Sequence, residues 1–226
     1  MFAIAIDGPA GAGKSSVAKA AAKELGFTYV DTGAIYRAIA LYMLEKGVDL
    51  EDPAAVTAEL TGVEVSLEYG EFGQRTLLGG RNVSEEIRTQ EVSMATSKWV
   101  AHIPEVREFL VGIQRGLARK SNVIMDGRDI GTVILPDAQL KVFLTASAEE
   151  RARRRTRQLE EAGEPADFQQ VLKEVVQRDK QDAAQLDLLP EDGVVLDSTG
   201  LSFRQVVERL TAMARERMGN EGGGKG

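Results

Sequence analysis

Residues 1–16 read MFAIAIDGPAGAGKSS: a short apolar run, a glycine-rich turn, then Lys14, Ser15 and Ser16. Gly8, Gly13, Lys14 and Ser15 satisfy the spacing G-x-x-x-x-G-K-[ST], and that spacing has a physical reason. An apolar strand over residues 2–6 carries the chain to the edge of a sheet. Gly8, Gly11 and Gly13 then let the backbone take positive φ and approach an anion closely. The loop amides converge on phosphate oxygens at the start of the next helix, whose dipole also favours negative charge. Lys14 is placed to reach terminal phosphates as a point charge, and the Ser15 hydroxyl to hold magnesium.

The 226 residues suffice for one large α/β domain with insertions. Lys and Arg number 28 against 35 Asp and Glu, a formal charge of −7. That balance argues against nonspecific binding to nucleic acid or to an anionic membrane, so any anionic ligand must be drawn by local clusters. With no cysteine, disulfides, thiolate nucleophiles and thiolate metal sites are excluded. No secretory leader or membrane-length apolar stretch is evident, and a cytoplasmic setting is expected.

Beyond the loop, helical spacing over residues 14–26 ends at Gly26, and a second short strand covers residues 27–30. DTGAIYR (residues 31–37) follows at the end of that strand. Open parallel sheets bind ligands there, so a polar turn with Thr32, Tyr36 and Arg37 can meet a second ligand. Arg37 can equally be a solvated helix residue. Helices are predicted over residues 34–46 and 53–60. VEVSLEY (residues 63–69) then alternates apolar and polar residues, which predicts a half-solvated antiparallel insert. A helix over residues 91–101 and another opening at Pro104 come next, the latter with Val106, Phe109, Leu110, Ile113 and Leu117 at helical spacing. His102 and Trp99 read as structural. An apolar strand over residues 122–125 ends in DGRD, where Asp126 is either a magnesium-side acid or the cap of a turn. Another buried strand covers residues 139–145. Strands returning with helices between them predict a parallel sheet covered by helices.

Residues 148–163 break the amphipathic rule, because they carry Arg151, Arg153, Arg154, Arg155 and Arg157 with few apolar positions. Such a helix either closes on phosphates, where guanidinium groups stabilise developing charge, or is a solvated face paired with Glu149, Glu150, Glu160 and Glu161. Asp167 with Gln170 and Ser202 with Gln205 are capping-box patterns. A final strand covers residues 193–197, and the last helix turns Phe203, Val206, Val207, Leu210 and Met213 inward. A glycine-rich tail, residues 219–226, is expected to be disordered.

Taken with the loop, DTGAIYR, NVSEEIRTQEV, DGRDIGT, ERARRR and RDKQD give a chain that resembles bacterial cytidylate kinases over about residues 2–215. The resemblance implies γ-phosphoryl transfer from ATP, with magnesium, to CMP or dCMP. It implies a P-loop, adenylate-kinase-like, three-layer α/β/α fold with a central parallel five-stranded sheet, an antiparallel insert in the monophosphate-binding region and a helical lid. A single domain over residues 1–218 then has a core (1–62, 104–147 and 183–218), an insert (63–103) and a lid (148–182). Gly8, Pro9, Ala10, Gly11, Ala12, Gly13, Lys14, Ser15 and Ser16 would hold ATP. Thr32, Tyr36 and Arg37 would line the acceptor site, with Arg37 and Arg128 on the CMP phosphate. Ser97, Arg107 and Asp129 would read cytosine, Arg178 and Asp182 the sugar, and Arg151, Arg154 and Arg155 would serve the lid. Lys14 and Arg128 join those three arginines as the catalytic set. The enzyme is expected to be a monomer whose partners are its small-molecule substrates. Two departures stand out: the loop ends G-K-S-S rather than G-K-G-T, and Gln185 replaces an expected arginine. Other readings are a P-loop kinase for UMP, AMP or a sugar acid, and a non-catalytic ATP-binding module.

Overall fold

In the computed structural model the described residues are 1–70, 73–186 and 190–222, with the side chains of 181–186 and 220–222 outside the description. The chain divides into two compact units, one of residues 1–29 with 121–226 and one of residues 30–120.

The first unit is organised by strand β1 (Ala3–Asp7), which lies at the centre of a five-stranded sheet ordered β2-β6-β1-β7-β8. Here β2 is Thr28–Asp31, β6 Val123–Asp126, β7 Leu140–Thr145 and β8 Val194–Asp197. Parallel registers pair Ile4 with Ile124 on one side and with Leu140 on the other. Helix α1 (Lys14–Leu25) opens at Gly13 and stops at Gly26 with φ 70°. Its Val17, Ala18, Ala21 and Ala22 pack with Ile4, Ile6, Ile124, Val142 and Leu144 in a core closed by Val206, Val207 and Leu210. Those last three lie on the C-terminal helix α8 (Phe203–Gly222). The small alanines of α1 let it approach closely, and burial of the branched residues drives assembly at roughly 25 cal/mol per Å².

In the second unit α2 (Thr32–Lys46) and α3 (Pro53–Glu59) precede an antiparallel sheet of β3 (Val65–Gly70), β4 (Gly73–Leu78) and β5 (Arg81–Asn82). Helices α4 (Gln90–Lys98) and α5 (Pro104–Ala118) follow, joined by a 3-10 turn at Val100–His102. Ile35, Ile39 and Met43 of α2 form its core with Val83, Ile87, Val92, Val106 and Leu110.

Back in the first unit, α6 (Ala148–Glu161) packs against α7 (Phe168–Leu186). The architecture is the expected P-loop α/β fold with a separate antiparallel sheet. Three local expectations change. α2 starts at Thr32, because Asp31 Oδ1 accepts the Ala34 amide at 2.9 Å and caps the helix, so DTGAIYR is a helix start rather than a turn. Phe203 is 55% exposed instead of inward, since it sits in the first turn of α8, ahead of the buried stripe. α8 also continues through residues 219–222, where the last turn of an established helix propagates at little cost. Residues 223–226 lie outside the described residues.

Candidate active site

β1 delivers the chain to Asp7, and the glycine loop begins at the next residue. Gly8 has φ +144°, and a Cβ there would stand 2.0 Å from the Leu144 carbonyl oxygen on β7. Only glycine lets the loop leave the sheet so close to the neighbouring strand. Gly11 and Gly13 also take positive φ, at 75° and 87°. Lys14, the first residue of α1, is buried and turns its Nζ onto the loop, donating to the Gly8 and Pro9 carbonyls at 2.7 and 2.8 Å. Ser15 Oγ donates to Asp126 Oδ2 at 2.8 Å, and Tyr29 OH donates to Oδ1 at 2.9 Å. Asp126, which closes β6, is therefore held against the loop serine. A hydroxyl and a carboxylate oxygen side by side fit magnesium, which takes a few oxygen ligands from protein and the rest from phosphates and water. Among the described residues there is no cluster of three or more His, Cys, Asp or Glu that could hold a metal.

The turn after β6 is fastened to the end of β1 and to the loop at successive positions. Gly127 N donates to Ile6 O at 3.0 Å, and Arg128 Nη1 to Gly8 O at 3.3 Å. Asp7 accepts from Ile130 N at 2.7 Å and Gly131 N at 2.8 Å. Burial pushes the Asp7 carboxyl up to about 6, against the two backbone donors, which favour the ionised form; Asp129 adds to the rise and Lys14 opposes it.

Two arginines of α6 are built in. Arg151 is 4% exposed; Nε donates to Ala146 O at 3.0 Å and Nη1 to Ala10 O of the loop at 3.0 Å. Its fork also grips Asp179 on α7 at 2.8 and 2.5 Å. Arg154 donates to Glu150 at 3.0 Å and to Ser198 Oγ and O at 3.0 and 2.9 Å. Arg155 is exposed. The helix therefore combines buried clasps with a solvated face, where Arg153 pairs with Glu150 at 3.7 Å. Arg178 is exposed on α7. The side chains of Asp182 and Gln185 lie outside the described residues.

In the second unit, Asp31 both caps α2 and pairs with Arg37 at 3.1 Å, and Thr32 is buried beside it. Tyr36 is half-buried on the same helix. The Arg37 Nε is buried without a hydrogen-bond partner. Gln74 of β4 clamps the end of β2, its Oε1 accepting Asp31 N at 2.8 Å and its Nε2 donating to Asp31 O at 3.3 Å. Ser97 and Arg107 are held at the α4–α5 turn. His102 Nε2 donates to the Ser97 carbonyl at 2.8 Å, and Arg107 Nη1 to the Ala101 carbonyl at 3.1 Å. His102 thus bonds within its own turn. Asp7, Gln74 and Asp179 are the residues sequence reasoning passed over. Asp7 carried one signal, an acid directly before the loop; the other two became visible only through partners far away in sequence.

A glycine loop at the end of the central strand, a lysine at its heart and a serine–aspartate pair beside it define a P-loop nucleotide-binding protein. The chain belongs to the cytidylate kinase family, whose sequence model it matches over residues 4–216. A cytidylate kinase of Caldanaerobacter subterraneus subsp. tengcongensis is 49% identical, covering 96% of this chain and 96% of that one. One from Carboxydothermus hydrogenoformans is 48% identical, covering 92% and 94%. Among solved structures, an uncharacterized protein from Eubacterium ventriosum has the same fold, with a TM-score of 0.50 at 12% identity over 94% of this chain and 98% of that one. No helix among the described residues is long and apolar enough to cross a membrane.

Proposed function

We propose that the chain is a nucleoside monophosphate kinase that transfers the γ-phosphoryl group of ATP to CMP and dCMP, giving CDP and dCDP. The observation that carries this reading is the loop geometry, Lys14 centred on the loop carbonyls and Ser15 against Asp126, in a chain of the cytidylate kinase family. Residues 8–16 cradle the ATP phosphates through backbone amides, and Lys14 exchanges carbonyl oxygens for phosphate oxygens. Ser15 would hold magnesium with Asp126 behind it, and the metal would supply neutralisation of phosphate charge. Phosphoryl transfer demands alignment and charge stabilisation more than a strong base.

Arg37 and Arg128 grip the acceptor phosphate in this reading. The orphaned Arg37 Nε supports that assignment, since a buried guanidinium nitrogen without a partner is a donor awaiting an acceptor. Thr32 and Tyr36 line the acceptor site, and Arg178 and Asp182 hold the sugar. Ser97, Arg107 and Asp129 read cytosine: a carboxylate accepts from the exocyclic N4 amine, and an arginine donates to N3 and O2. Uracil presents a carbonyl where cytosine has the amine, so acceptor would face acceptor at Asp129. Residues 148–182 act as the lid, and residues 63–103 as the monophosphate-binding insert. Arg151 and Arg154, already engaged, set the lid's footing, and the exposed Arg155 closes on the transferring group. The enzyme works as a cytoplasmic monomer.

A coupled assay with ATP, magnesium and a panel of monophosphates tests the assignment. CMP and dCMP should turn over fastest. Faster turnover of AMP or UMP would overturn it, and tight ATP binding with no transfer at all would point to a regulatory module.

A further inference from the structure

The segment that carries Arg128 and Asp129 is followed at once by a turn whose cap comes from elsewhere in the chain. After Asp129 the backbone enters a π-turn at Ile130–Ile134, in which Val133 and Ile134 donate back to the Asp129 carbonyl and Leu135 to that of Ile130. The first amides of such a turn have no carbonyl partner within it. Asp129 stands at the capping position, yet its side chain makes no capping hydrogen bond. Asp7, more than 120 positions earlier, takes that role: its two carboxylate oxygens accept one amide each, from Ile130 and Gly131. Gly131 is what permits the approach. A Cβ there would meet Asp7 Oδ2 at 3.3 Å and the Lys141 Cγ at 3.3 Å. Asp7 is buried and immediately precedes Gly8. The carboxylate that precedes the phosphate loop therefore also fixes the backbone immediately after the two residues assigned to acceptor phosphate and base.

We propose that Asp7 is a positioning residue for acceptor recognition: by capping the turn after Asp129 it holds Arg128 and Asp129 in register with the phosphate loop, and so sets the preference for CMP over UMP. This rests on the acceptor reading given above. The chemistry is specific. A carboxylate supplies two acceptors to two adjacent amides, whereas an amide in its place offers one acceptor and turns an NH2 group toward the other N–H. With one bond lost and a donor facing a donor, the turn shifts and Asp129 is no longer aimed by it.

The test compares wild type, Asp7→Asn, Asp7→Ala and Asp129→Ala for kcat/KM with CMP and with UMP, alongside the affinity for a fluorescent ATP analogue. Asp7→Asn should raise KM for CMP and lower the CMP-to-UMP ratio by about tenfold, the effect of one well-placed hydrogen bond. Asp7→Ala should lower the ratio further, toward that of Asp129→Ala, while ATP affinity stays within about threefold of wild type. The ratio is measured within one sample, so a smaller folded fraction cancels, and the near-isosteric asparagine decides the matter if the alanine variant folds poorly. An unchanged ratio in Asp7→Asn, with wild type still preferring CMP, would overturn the role of Asp7 and leave the acceptor reading intact. No CMP preference in wild type would overturn both.

Discussion

Asp7 also has a pH signature that can be worked out in advance. Its carboxyl is raised from 3.8 to about 6, mainly by burial, with Asp129 adding to the rise and Lys14 opposing it; Lys141 packs against the same glycine. The folded protein therefore binds this proton more tightly than the unfolded chain does. Stability attributable to Asp7 is greatest below pH 3.8 and is lost as pH rises toward about 6. The shift of some two units corresponds to about 3 kcal/mol in full, of which about 2 kcal/mol falls between about pH 7.5 and about pH 4.5. Other carboxylates titrate over the same range, so the measurable quantity is the difference between wild type and Asp7→Asn, which has no group to titrate at that position. Urea unfolding at the two pH values, followed by circular dichroism because Trp99 reports on the other unit, should show that difference moving by about 2 kcal/mol in favour of wild type on acidification. Parallel stability curves for the two proteins would refute the reasoning, and a move in the opposite direction would mean that the amide donors outweigh burial.

Further outcomes follow from the loop and its clasp. Gly8→Ala must accommodate a Cβ 2.0 Å from the Leu144 carbonyl at φ +144°. It should lose about 3 kcal/mol or more in a denaturant titration and bind ATP poorly in calorimetry; a variant of wild-type stability would contradict the strand spacing described here. Arg151→Lys keeps the charge but cannot span Ala146, Ala10 and Asp179 at once. A loss of about 2–3 kcal/mol is expected, against about 1 kcal/mol for Asp179→Asn, because Asp179 is itself partly solvated and the asparagine keeps an oxygen to accept from the guanidinium. Equal, negligible effects of the two changes on the melting temperature would show that α6 is not held this way.

What could be read from the sequence was whatever depends on neighbours a few positions apart. Gly8, Gly11, Gly13 and Lys14 announce their conformation and chemistry locally. So do the apolar strands at Ile4, Ile124 and Val142, the stop at Gly26, and the Asp167–Gln170 and Ser202–Gln205 caps, which close at 2.7 Å and 2.9 Å. The rest is set by partners that only the sheet brings together. Nothing near Arg151 says that it is buried on Asp179 and Ala10 rather than mobile. Nothing near Gln74 says that its amide completes the end of β2. Phe203 illustrates the converse error: helical periodicity extended one turn too far places a residue inside that the helix leaves in water. The role of Asp7 is not legible in the sequence, because its partners belong to a π-turn, which has no periodic signature.

The central position of β1 has one more consequence, for the order in which the molecule can be made. Phe2 and Ala3 bond to Asn122 and Gln139, 120 and 136 positions away, and closing a loop of that length costs about 4 kcal/mol before any contact rewards it. Residues 30–120, by contrast, form a uninterrupted stretch with a core of its own. A growing polypeptide thus carries Phe2, Ile4 and Ile6 as an unpaired apolar strand through more than half of its synthesis, the kind of segment that invites wrong pairings. A product that stops short of β7 contains every residue of the glycine loop and lacks the Leu144 backbone against which Gly8 is shaped. Nucleotide binding is on this account a property acquired late and all at once, and fragments that keep the signature should not be expected to keep the site.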